Sequence, residues 1–451
     1  MTKLILALSL TLAPALMTSI AQAAELRVGP EGYPSITAAI EAASPGDILR
    51  ISPGHYRENL VLSKPLTLIG EGMPRIDGGG SGDVIHVTAP DCRISGLHVT
   101  GSGREALSDT AAIKLSASGA VIEGNLLDES LYGLYLESVR NAVIRDNEIR
   151  GIAELAPGNR GDGIRLFDSQ HNLISNNRIS VARDGIYFNA SPFNTLTGND
   201  VSKARYGLHY MYSDDNVFTG NRFTESEAGS AVMFSRRLTL RDNLFSGNRG
   251  FRDYGLLIKD CEDSLVEANA ILGNRVGIFL DGAIGLKITH NRIVGNDLGI
   301  EVRGSSEANE FLGNTIAGNA VSAALPTGRS ENHWGGNYWS DYRGYDLDGN
   351  GRGDVSHTAG SVFAYLTENM PPARLFLLSP AIQALEFAER TFPIMNVPGV
   401  EDPSPSMKPT VQGETKALGA GGIDLAMLGV SLGVLLLGII PLVFVRKAFS
   451  A

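Results

Sequence analysis

Short apolar pairs recur along most of the chain, each bracketing one variable residue. Ile164 and Leu166, Ile186 and Phe188, Leu208 and Tyr210, Ile278 and Leu280, and Ile300 and Val302 all follow this rule, each just after a glycine. Alternation at period two puts one face of a strand inward. The runs are too short for helices, and glycine punctuates them. The pattern also keeps a beat. Glycines fall at Gly133, Gly163, Gly185, Gly207, Gly229, Gly255, Gly277 and Gly299, and asparagines at Asn125, Asn147, Asn177, Asn199, Asn221, Asn243, Asn269, Asn291 and Asn314. Most asparagine steps are 22 or 23 residues, and two longer ones mark insertions. A repeat of this size predicts a solenoid, here an all-β, right-handed parallel β-helix with coils of about 22 residues. The asparagines read as stacked turn residues in left-handed backbone, hydrogen-bonded along the stack.

Outside the repeat the pattern changes. Lys3, the apolar stretch Leu4 to Leu16 and Ala21-Gln22-Ala23 have the layout of a signal peptide, residues 1–23. Residues 24–50 form an N-terminal cap, with an amphipathic helix expected from Ile36 to Ala43 covering the first strand edges. The β-helix spans 51–325, and its beat fails after about Ala320. A C-terminal cap with an Asp-rich loop is expected at 326–365 and a proline-rich extended linker at 366–424. Leu425 to Val445 is an uncharged run of 21 residues. As a helix it would reach ~31 Å, which matches a hydrocarbon core, so 425–445 is predicted to be a transmembrane helix. Arg446 and Lys447 open the tail at 446–451 and orient it to the cytoplasm, leaving the body outside.

The formal charge of −11, from 49 acidic and 38 basic residues, argues against a nucleic-acid partner, which needs a basic face. Cys92 and Cys261 fall about seven coils apart, or roughly 34 Å at ~4.8 Å per coil, far beyond the ~7 Å a disulfide allows. Both read as small buried apolar residues.

The register lines up the outward positions. Two residues after each glycine stand Tyr135, Arg165, Tyr187, His209, Ala231, Leu257, Phe279 and Glu301, and four after stand Glu137, Phe167, Asn189, Met211, Met233, Lys259, Asp281 and Arg303. Met211 and Met233 are therefore outward neighbours on adjacent coils, with His209 on the strand and face of Met211. Thioethers with an imidazole form a ligand set suited to Cu(I). The competing reading is a methionine surface adapted to a protein partner. Asp346, Asp348, Asn350 and Asp354 fall at positions 1, 3, 5 and 9 of a calcium-loop pattern, with Gly351 at position 6 and His357 where the bidentate Glu belongs. That segment reads either as a structural calcium site or as an Asp/Gly turn. Asp162 and Asp184 precede successive glycines near Arg165, and serve either as turn residues or as the acids of a polysaccharide epimerase or lyase. No Ser-His-Asp or Walker-type motif is present.

Gly207-Leu-His-Tyr-Met-Tyr-Ser213, the Asn/Gly repeats and Gly336-Asn-Tyr-Trp-Ser-Asp-Tyr342 leading into the Asp346–Asp354 loop resemble the NosD family of nitrous-oxide reductase maturation factors. The resemblance implies a periplasmic, non-enzymatic copper-handling protein that works with an ABC transporter (permease and ATPase). It also implies copper received from a lipoprotein chaperone and passed toward nitrous-oxide reductase, with the C-terminal helix anchoring the chain in the inner membrane. On this chain it points to His209, Met211 and Met233 as the copper site. A protein-binding scaffold without metal remains the third reading.

Overall fold

The alternation seen in the sequence becomes three stacked sheets. The computed structural model describes residues 23–105, 109–250, 254–325, 331–360 and 399–410. Within them a parallel β-solenoid of about 14 turns winds through sheets of 14, 12 and 13 strands. The first runs from Glu25–Val28 to His333–Gly335, the second from Leu60–Leu62 to Val321–Ala324, and the third from His55–Tyr56 to Tyr338–Trp339. Each strand pairs in parallel with its counterparts on the coils before and after. Inward columns are apolar from coil to coil: Ile122, Ile144, Ile174, Leu196, Phe218, Leu240, Val266, Ile288, Phe311 and Trp334 stand in register in the first sheet, all buried. A helix at Ile36–Ala42 covers the first coil with Ile36, Ala39 and Ile40, and Ser35 caps it by accepting from the Ala38 amide at 3.1 Å.

The asparagine ladder is real, but its conformation differs from the expected one. Each asparagine is buried and donates from its backbone N and its Nδ2 to the Oδ1 of the asparagine on the next coil, as Asn177 does to Asn199 at 3.0 Å and 3.0 Å. Its Nδ2 also donates back to the preceding coil, as from Asn147 to the Ile122 carbonyl at 2.9 Å. The left-handed residue is the one before the asparagine: Asp146, Asn176, Asp242, Ala268 and His290 have φ between 54° and 56°, and glycine fills that position at Gly124, Gly198, Gly220, Gly313 and Gly336. Two further ladders run alongside, Asn172–Asn194–Asn216, where Asn194 donates to Asn216 through its backbone N alone, and Asn248–Asn274–Asn296–Asn319.

The far end closes differently from the sequence reading. Trp334 stacks on Phe311 with centroids 3.8 Å apart, and Trp339 follows against Trp334. Within the stretch expected to be an extended linker, Gly399–Asp402 is a strand paired antiparallel with His357–Gly360. It carries the fully buried Asp402, whose Oδ2 accepts from Asn337 N at 3.0 Å, Asn337 Nδ2 at 3.0 Å and Trp339 Nε1 at 3.1 Å. A carboxylate thus ends the ladder where another asparagine would stand.

Cys92 and Cys261 are free and buried, and burial pushes the Cys261 thiol up to about 12. Among the described residues no helix is long and apolar enough to cross a membrane. The stretch expected to be a signal peptide (apart from Ala23) and the apolar run at 425–445 lie outside the described residues, as does most of the expected linker.

Candidate functional site

The outward face of the 12-stranded sheet brings the soft donors together. Tyr206–Met211 and Ala228–Met233 pair in parallel, with Met211 opposite Met233 and His209 opposite Ala231. Neighbouring coils complete the columns: Tyr187 and Asn189 on one side, Leu257 and Lys259 on the other. Strand alternation puts His209 and Met211 on one face, and the inward Leu208 and Tyr210 that alternate with them are fully buried. Met211 and Met233 are half-buried.

His209 and Met233 share one apolar bed. Tyr206, Ala228 and Ala231 form a small buried cluster against which Met233 and Leu257 pack. The Tyr206 ring lies 4.8 Å from the His209 ring, and Tyr187 meets it edge-on at 5.1 Å.

A buried ionic ladder lies alongside. Asp162 accepts from Arg165 at 2.9 Å and from both Nε and Nη2 of Arg183. One coil on, Asp184 accepts from Arg205 Nε at 2.9 Å and Nη2 at 2.6 Å, and its Oδ2 lies 2.8 Å from His209 Nδ1. Burial pushes the Asp184 carboxyl up, but the hydrogen bonds from His209 and Arg205 outweigh it and hold the group below its ordinary value. Both carboxylates, read in the sequence as turn residues or acids, have their oxygens committed to arginine or histidine. The Asp184–His209 contact escaped the period-two reading because Asp184, in the strand Asp184–Asn189, has the parity of the inward Ile186 and Phe188. The coil spacing of Asp184, Arg205 and His209 is the signal that could have found it.

The patch carries a second unanticipated feature. Directly after Met211 and Met233, Tyr212 and Phe234 occupy left-handed corners with φ of 52° and 53°. Ser138, Asp168, Ala190, Asp260 and Gly282 take the same corner on other coils. The two rings stack at 5.0 Å, and Tyr212 is 59% exposed, so bulky aromatics sit where the backbone favours small or polar residues.

The four calcium candidates are not assembled into a cage. Asp346 accepts from the Gly349, Asn350 and Gly351 amides, Asp348 from the Asn350 amide and side chain, Asn350 from the Arg352 amide, and Asp354 from the Leu347 amide. These are turn-stabilising bonds, and those from the loop amides, led by Gly351, hold the Asp346 carboxyl below its usual value. His357 turns to Asp341 and Trp339 instead. Among the described residues no group of three or more His, Cys, Asp or Glu converges to hold a metal ion. The thioether–imidazole patch is a donor set of a different kind.

Fold and face together define a β-solenoid that presents a soft-donor patch on one sheet. Residues 152–344 match the family model described as "Periplasmic copper-binding protein (NosD)". A "Probable ABC transporter binding protein NosD" of Pseudomonas aeruginosa is 44% identical over 380 residues, covering 79% of this chain and 87% of that relative. Its counterpart in Stutzerimonas stutzeri is 37% identical, covering 80% and 86%. The chain belongs to the NosD family. Solved structures share the fold alone: the A-module of a mannuronan C-5 epimerase of Azotobacter vinelandii (15% identity, TM-score 0.50, 66% of this chain and 93% of that one) and the catalytic unit of a GH87 α-1,3-glucanase of Streptomyces thermodiastaticus (14%, 0.54, 72% and 70%).

Proposed function

We propose that the protein is a periplasmic copper-handling assembly factor that works beside an ABC transporter and supplies copper for nitrous-oxide reductase maturation, without enzymatic activity. The observation that carries this reading is the in-register pair Met211 and Met233 facing outward beside His209. Copper is cargo here. Two thioethers and one imidazole suit Cu(I), and neutral ligands at a half-exposed site hold it loosely enough to release it. The stacked coils give the patch a rigid frame on which a donor or acceptor protein can dock. The names of the relatives support the transporter link. The fixed roles of Asp162 and Asp184 support a non-enzymatic reading, because neither is free to move a proton to or from a sugar ring. The apolar run at 425–445 then serves as the inner-membrane anchor, and a lipoprotein chaperone as the copper donor.

Changing Met211 and Met233 together to leucine keeps volume and apolar packing while removing both sulfur atoms. Competition against a chromogenic Cu(I) chelator should show affinity falling by about 100-fold, or ~2.7 kcal/mol, with thermal stability unchanged. Affinity equal to that of the unmodified full chain removes the site assignment and leaves a protein-binding scaffold.

A further inference from the structure

We infer that Asp184 is a positioning residue that holds His209 in one tautomer and aims its second nitrogen at the cargo, a step that rests on the copper reading above. The geometry carries it. Asp184 is fully buried and accepts from Arg205 through both oxygens, at 2.9 Å and 2.6 Å. Its Oδ2 lies 2.8 Å from His209 Nδ1. An ionised carboxylate only accepts, so Nδ1 carries the proton and donates. Among the described residues Nε2 has no hydrogen-bond partner, and in the neutral imidazole it holds the lone pair. The Tyr187 and Tyr206 rings flank the imidazole at 5.1 Å and 4.8 Å and limit its rotation. The imidazole therefore presents a fixed donor on the sheet face that carries Met211 and Met233. A carboxylate behind a ligating imidazole also raises its basicity, and loss of such a partner typically costs about 10- to 100-fold in metal affinity.

Two variants of the full chain separate positioning from structural support. Asp184→Asn alters the group that touches the ring. Arg205→Gln disturbs the same buried pair but leaves the carboxylate on His209. The first readout is the His209 tautomer in the metal-free protein, from nitrogen chemical shifts of histidine-labelled samples, with His209→Gln assigning the signal. The second is Cu(I) affinity by chelator competition. The unmodified protein and Arg205→Gln should both show the Nδ1–H tautomer, while Asp184→Asn should lose that preference and bind Cu(I) about 10- to 100-fold more weakly. Equal tautomer and affinity in Asp184→Asn, or equal losses in both variants, overturn the positioning role. Cu(I) affinity that survives His209→Gln instead overturns the copper reading at this imidazole, and the tautomer readout still decides what Asp184 does to the ring.

Discussion

Replacing Asn221 by leucine, in the middle of the longest ladder, is expected to destabilise the solenoid by about 3–5 kcal/mol although side-chain volume hardly changes. Asn221 is fully buried, and its Oδ1 accepts from Asn199 N at 3.0 Å and Asn199 Nδ2 at 2.9 Å. Its Nδ2 donates to the Leu196 carbonyl and to Asn243 Oδ1, both at 3.0 Å. Leucine satisfies none of these. The Asn199 amide and side chain and the Leu196 carbonyl would be left without those partners in an apolar interior, at roughly 1–3 kcal/mol for each group wholly unsatisfied. Because each coil touches only its neighbours, the loss should be local. Hydrogen exchange should show lowered protection at Asn199 and the adjoining strands, with a matching fall in the urea midpoint. A change below about 1 kcal/mol would mean that the ladder contributes little beyond filling space.

Asp402→Ala should open the far end. One carboxylate oxygen serves the Asn337 amide, the Asn337 side chain and the Trp339 indole, and the other accepts from the Ser404 amide at 3.1 Å. Removing it strands three buried donors on the last coil, a cost of about 3–4 kcal/mol concentrated on one short antiparallel pair. The predicted consequence is release of Gly399–Asp402 from His357–Gly360. Trp334 and Trp339 are the two tryptophans of the sequence, so fluorescence reports this end specifically. The emission should shift to the red, and protease should cut near residue 400 while the coils stay intact. Unchanged emission and an unchanged digest would show that the strand is held by contacts other than Asp402.

Much of the architecture is legible in the sequence because a solenoid writes its register into a fixed period. That period pairs Met211 with Met233 before any coordinates are known, since residues 22 apart lie side by side. It also marks the principal ladder, although it places the left-handed backbone one residue too late. The shorter ladders, such as Asn172–Asn194–Asn216, keep the same spacing but are hidden by the longer series. What the period cannot encode is contact across the break in alternation or across long sequence gaps. Asp184 reaches His209 from a position with the parity of the inward Ile186, and Asp402 reaches Asn337 from 65 residues away by an antiparallel return. The Asp346–Asp354 motif lies outside the period and has two readings. Asp, Asn and Gly in close succession serve calcium loops and amide-capped turns alike, and here the side-chain oxygens face the loop's own amides.

Under the copper-handling proposal, this face of the solenoid holds Cu(I) through thioether and imidazole. X-ray absorption at the copper edge of the full chain loaded with one equivalent of Cu(I), beside its Met233→Leu variant, tests it most directly. A shell of sulfur with a single imidazole, losing a sulfur scatterer in the variant, is the predicted result. A shell of nitrogen and oxygen alone, or a spectrum indifferent to Met233, would contradict it.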